Sequence, residues 1–224
     1  MTFSLVARCA QTGRLGVAVA SSSPAVAARC AHVRAGVGAV ATQNVTDPRL
    51  GPALLDRLAE GLSAPQALSD VLSREPHPAY RQLLVIDAAG RTAIHSGPRA
   101  LGTWAEARGT DVASGGNLLA HPGIPAAIAG AFEAAPGAFG DRLLAALRAG
   151  LAAGGEAGPI RSAGMLIAHR QSWPWADLRC DWTEGDPIAG IAAAWAVFAP
   201  QADTYVTRAL NPKAAPSFGV PGDE

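Results

Sequence analysis

Thr2 is the residue whose type and position point most directly to chemistry. Removal of Met1 ahead of this small second residue exposes a free α-amine on a residue that also carries a hydroxyl, so nucleophile and base reside together. A free α-amine has a reference pKa of about 7.7–8.0, low enough to take a hydroxyl proton near neutrality. Threonine is also a good strand former, which is the plainer reading of the same position. Asn117 follows two glycines. It can donate its side-chain amide to a tetrahedral oxyanion, a contact worth about 2.7–4 kcal/mol in an analogous case, or it can satisfy a turn. Gln43 and Asn44 close an apolar run and divide in the same way between amide recognition and turn formation. Ser162, ahead of another apolar run, reads as a supporting hydroxyl or a strand-edge residue.

Other chemistries find less support. His32, His77, His95, His121 and His169 show no HExxH spacing, and no GxSxG elbow accompanies a serine. Cys9, Cys30 and Cys180 are scattered and odd in number, so buried thiols are expected rather than a disulfide framework or a zinc cluster. Lys213 is the only lysine, which leaves almost no room for Schiff-base or lysine-base mechanisms. Asp177, Asp181 and Asp186 read as solvated charges. No metal and no cofactor is expected.

The elements that must position these residues can be read from periodicity. Thr2 to Arg8 and Leu15 to Ala20 are apolar runs around Gln11-Thr12-Gly13-Arg14, which predicts a hairpin. Gly38 to Gln43 predicts a third strand. Leu54, Leu55, Leu58 and Leu62 fall at helical spacing, and Ser63-Ala64-Pro65-Gln66 predicts the capped start of a second helix. Gln82 to Ile86 and Arg91 to His95 predict another hairpin, 124–134 and 139–151 two helices, Ala163 to Ala168 a strand paired with Asp177 to Trp182, and Pro187 to Phe198 a last helix. Strand pairs alternating with helix pairs argue for antiparallel sheets with helices outside, against a doubly wound sheet. One domain is expected over residues 1–200, with an extended C-terminal tail over 201–224 that carries Pro212, Pro216 and Pro221.

The chain has 224 residues, 49% hydrophobic and 16% charged, with 18 basic and 18 acidic side chains. Such a chain buries enough apolar surface to fold. Its even charge leaves no basic footprint for nucleic acid or an anionic membrane, so neither is an expected partner. The N-terminus meets Arg8 before a signal core can form, and the run from Ile188 to Phe198 is too short to cross a bilayer, so a cytoplasmic location is expected. Trp173, Trp175, Trp182 and Trp195 read as core or subunit-interface residues before a substrate wall. With the aromatic tail residues Tyr205 and Phe218, they point to a homo-oligomer.

Four stretches, Thr2 to Arg8, Gly16 to Ser21, Arg34 to Gln43 and Gly116 to Ala120, resemble the family called domain of unknown function 1028. The resemblance covers most of residues 2–190, and Arg34 to Gln43 is its most specific part. The family is assigned to the N-terminal-nucleophile (Ntn) hydrolases, whose αββα sandwich is shared with proteasome subunits. The resemblance thus implies an α+β, four-layer αββα fold with two antiparallel sheets between helical layers. It implies Thr2 as nucleophile on the first strand, Ser21 and Arg34 near it on neighbouring strands, and Asn117 on the loop after a later strand. Arg34 would orient a substrate carboxylate or keep the terminal amine neutral by repulsion. The lysine that assists proteasome-like relatives has no counterpart. The expected activity is hydrolysis of a C–N bond in a small, carboxylated amide through Thr2, with Asn117 catalytic and Arg34, Ser21, Gln43 and Asn44 binding substrate. The alternatives are a non-catalytic binding or assembly protein on the same fold, or a hydrolase using Ser4, Ser21 or a histidine-activated water.

Overall fold

The computed structural model describes residues 2–217 and 219. Ten strands and seven α-helices follow in the order β1 (Thr2–Arg8), β2 (Leu15–Ser21), α1 (Val26–Cys30), β3 (Ala31–Arg34), β4 (Gly38–Asn44), α2 (Leu50–Ala59), α3 (Ala64–Arg74), β5 (Arg81–Asp87), β6 (Thr92–Ser96), β7 (Ala105–Gly109), β8 (Val112–Asn117), α4 (Ile124–Ala134), α5 (Phe139–Ala152), β9 (Ser162–Ala168), β10 (Ala176–Cys180), α6 (Pro187–Phe198) and α7 (Ala202–Leu210). The strands form a six-stranded sheet, β10-β9-β2-β1-β8-β7, and a four-stranded sheet, β3-β4-β5-β6. Every recorded pairing is antiparallel.

Three apolar layers stack these elements into an αββα sandwich. Phe3, Leu5, Ala18, Ala20 and Met165 on the six-stranded sheet pack on Ile128, Phe132, Leu143 and Leu147 of α4 and α5, and on Ile188 and Ile191 of α6. Val6, Val17, Val19, Ala39, Ala41, Leu84, Ile86 and Ala113 fill the space between the sheets. Val40, Leu83 and Val85 on the other face of the small sheet pack on Leu54, Leu58, Leu68 and Val71 of α2 and α3. Strands covered on both faces read as nearly continuous apolar runs, which is why β1, β2 and β5 show little alternation in sequence.

The predicted capping at Ser63 is present: Gln66 Oε1 accepts the Ser63 backbone N–H at 2.9 Å, and Pro65 lies in the first turn of α3. The tail differs from expectation. Ala202–Leu210 is a helix of nine residues, because the stretch between Pro200 and Pro212 is free of proline and can close helical bonds; Asp203 accepts the Trp175 indole N–H at 2.8 Å and ties the helix to the domain. The tail positions 218 and 220–224, Phe218 and Pro221 among them, lie outside the described residues. No helix among the described residues is long and apolar enough to cross a membrane.

Candidate active site

The alternation of strand side chains selects the site. The layer between the sheets is apolar at Val6, Val17, Val19, Ala41, Leu84 and Ala113. Two-residue steps along the same faces lead from Val6 to Ser4 and Thr2, from Val19 to Ser21, from Ala41 to Gln43, from Leu84 to Gln82, and from Ala113 through Gly115 to Asn117. The antiparallel register brings these ends together: Thr2 opposes Asn117, and Gln43 opposes Gln82. Six polar side chains therefore replace the apolar filling at one end of the interlayer. All are buried, Thr2 being 6% and Asn117 1% exposed.

Their hydrogen bonds have a forced direction. The Gly116 carbonyl can only accept, so Gln82 must present Nε2 to it, at 3.1 Å; Nε2 also donates to Ser96 Oγ at 3.0 Å. Gln82 Oε1 then accepts from Gln43 Nε2 at 2.8 Å and from Asn117 Nδ2 at 3.2 Å, while Gln43 Oε1 accepts the Ser4 hydroxyl at 2.6 Å. Among the described residues, this chain of bonds leaves Asn117 Oδ1 buried without a partner. A buried acceptor in that state costs about 1–3 kcal/mol and invites a functional explanation. Asn117 therefore offers an acceptor as well as the second N–H of its amide. It stands at the last position of β8, one residue earlier in the fold than the loop expected for it.

Thr2 Oγ1 donates to Ser21 Oγ at 3.3 Å, and Ser21 Oγ lies 2.8 Å from Ser23 Oγ, which accepts from Arg29 Nη2 at 3.1 Å. A row of hydroxyls thus runs from the candidate nucleophile to a guanidinium. Ser162, opposite Ser21 in register, accepts the Val26 N–H and donates to the Ser23 carbonyl at 2.6 Å, holding the serine turn from below.

Two expected site residues lie elsewhere. Arg34 sits opposite Gly38, five residues from Gln43 along β4, roughly 17 Å at strand rise. Val33 beside it packs inward, so alternation turns Arg34 outward, where it pairs with Asp56 at 2.8 Å. Among the described residues, Arg29 is connected to Thr2 through Ser23 and Ser21. Asn44 also faces away: its Nδ2 donates to the Tyr80 carbonyl at 2.6 Å and its Oδ1 accepts the Leu101 N–H at 3.1 Å. These bonds suit a turn, with φ at 72°.

Strain marks the same end. Leu118 and Ala25 adopt φ of 51° and 49°, left-handed values that cost a residue with a Cβ about 1–3 kcal/mol. Leu118 directly follows Asn117, and its backbone is held by the Leu101 carbonyl and the Ala157 N–H. Val45, Leu101 and Trp104 are exposed apolar residues flanking these loops. A cavity of 440 Å³, by contrast, lies between α5 and α6 and involves none of the candidate residues. A Cβ at Gly116 would stand 2.6 Å from the Leu119 side chain and 3.0 Å from the Thr2 carbonyl, so a larger residue there would press on the strand start.

Glu156 escapes sequence reasoning because it stands in a Gly-Gly-Glu-Ala loop with no neighbouring motif. It is 5% exposed, and both carboxylate oxygens accept the Ser22 N–H at 3.1 Å. Burial pushes its carboxyl up to about 7, against the lowering influence of the chain's terminal ammonium and the Ser22 bond.

The fold and the polar end of the interlayer define a four-layer α+β sandwich with a buried hydroxyl and amide cluster at the start of its first strand. Residues 2–191 match the model of the family of unknown function DUF1028, and the chain belongs to that family. The crystal structure of a Silicibacter pomeroyi protein of this family is similar, with a TM-score of 0.83 and 29% identity over 88% of this chain and 85% of that one. Anbu, the ancestral beta-subunit, from Yersinia bercovieri gives a TM-score of 0.39 at 12% identity, covering 88% of this chain and 97% of its own. No curated protein matches the chain.

Proposed function

We propose that the protein is an Ntn-type amidohydrolase that cleaves a C–N bond of a small amide through Thr2. The observation that carries this reading is the bond from Thr2 Oγ1 to Ser21 Oγ, at a strand start in register with the unpartnered acceptor of Asn117. Once Met1 is gone, the α-amine takes the Thr2 hydroxyl proton as Oγ1 attacks the amide carbon. The amine then returns that proton to the leaving nitrogen, and water hydrolyses the resulting ester with the amine again as base. The second N–H of the Asn117 amide is available to the oxyanion. Arg29, through Ser23 and Ser21, replaces Arg34 as the cation acting on the site, and it suits a substrate that carries a carboxylate.

The burial of Thr2 favours a rival reading, in which the same sandwich is an inert binding or assembly protein. A panel of small amides, ureido acids and lactams, assayed for ammonia or carboxylate release, separates the two. Turnover by the parent protein and a loss of about 10³-fold or more in Thr2→Ala, with the fold intact, is the expected result. Equal turnover in Thr2→Ala removes Thr2 from the mechanism.

A further inference from the structure

We propose that Glu156 is the counter-charge of the Thr2 α-amine: a positioning residue that orients the amine beside Thr2 Oγ1 and sets its strength as a base. The inference rests on the reading of Thr2 as an N-terminal nucleophile and adds to it the residue that replaces the missing lysine as the charged neighbour of the amine.

The geometry places Glu156 at the junction of both halves of the site. Its carboxylate holds the Ser22 N–H, while the carbonyl of the same peptide, that of Ser21, accepts the Arg161 N–H at 2.7 Å. The peptide that follows the serine receiving the Thr2 hydroxyl is therefore gripped on both sides. On the other flank, the loop bearing Glu156 is laced to the segment after Asn117: Ala120 N–H donates to the Gly155 carbonyl at 3.1 Å and Ala157 N–H to the Leu118 carbonyl at 3.0 Å. A Cβ at Gly155 would lie 3.6 Å from the ring of Phe3, the residue next to Thr2. Glu156 thus holds the peptide after Ser21, and its loop holds the segment after Asn117, on either side of the strand that Thr2 begins.

Other charges around it are engaged. From α1, Arg29 donates to the Pro24 and Ala25 carbonyls and to Ser23. From the segment before β9, Arg161 pairs with Glu184, and His121, after β8, is hydrogen-bonded to the Ala153 carbonyl. An α-ammonium on Thr2 brings up to three donors, for which Glu156 and the unpartnered Asn117 Oδ1 are acceptors. Burial alone weakens an amine as a base; an adjacent carboxylate restores its basicity toward the operating pH. The Glu156 carboxyl and the amine then titrate as a coupled pair.

The test measures the α-amine itself and needs no substrate. Intact mass first establishes whether Thr2 leads the purified chain; a retained Met1 overturns the underlying reading. With Thr2 leading, competitive acetylation by acetic anhydride, read by peptide mass across pH 5–10, titrates the amine. Glu156→Gln keeps an acceptor for Ser22 and removes the charge. The amine of this variant is expected to acetylate about five-fold faster than the parent's at pH 7.5, because more of it is neutral. The parent itself should titrate in two steps, which decides the matter even if the variant fails to fold. A single step in the parent, or identical curves in parent and variant, overturns the role of Glu156 while leaving Thr2 in place.

Discussion

The two ends of the space between the sheets are built on opposite principles. At the far end, charges meet in ion pairs: Arg8 with Asp111 at 2.9 Å, Arg34 with Asp56 at 2.8 Å, and Arg91 with the buried Asp87 at 2.7 Å. At the near end, uncharged amides and hydroxyls are buried and satisfy one another through Gln82. Half-exposed charges such as Arg34 need little from the fold, whereas dry polar groups need every partner they can reach. Arg8 Nε at the far end lacks a partner, but its guanidinium is already bonded through Nη1. The orphan at the near end is a neutral acceptor held by a one-way chain of bonds, on the residue that pairs in register with Thr2.

This contrast predicts unequal responses to substitution. Gln82→Leu should be the most damaging change, because it strands Gln43 Nε2, Asn117 Nδ2 and the Gly116 carbonyl at once. A loss of about 4 kcal/mol is expected, read as a lower urea midpoint at unchanged slope. A loss under about 1 kcal/mol would mean that the amides do not hold the near end together. Arg34→Ala should be the mildest change, within about 0.5 kcal/mol and without effect on turnover, since it breaks a half-exposed ion pair. An effect on turnover would return Arg34 to the site and erase the distinction between the ends.

Much of the fold is legible from local signals. The β1–β2 hairpin follows from its Gln11 to Arg14 turn, α2 from leucines at helical spacing, and α3 from Ser63 and Gln66. β3 and β7 are less so, being short edge strands of four and five residues. Helix α7 is hidden by the prolines around it. Within the site, Thr2, Ser21, Gln43 and Asn117 meet because alternation along central strands puts them on inner faces. Arg34 fails by the same rule, since one step beyond inward Val33 turns it to the helical side. Gln82 reads only as the polar start of a strand, and Glu156 as a loop charge. Their roles arise from contacts 35 and 134 residues distant in sequence, to Asn117 and Ser22, which no local pattern encodes.

The proposed reaction requires Thr2 to be the first residue of the mature chain, and Met1 lies outside the described residues. Intact-mass measurement of the purified protein decides this point. A single species lacking the initiator methionine is expected, with Thr2 identified by sequencing as the terminal residue. A protein that carries Met1 quantitatively and still turns over an amide would contradict it.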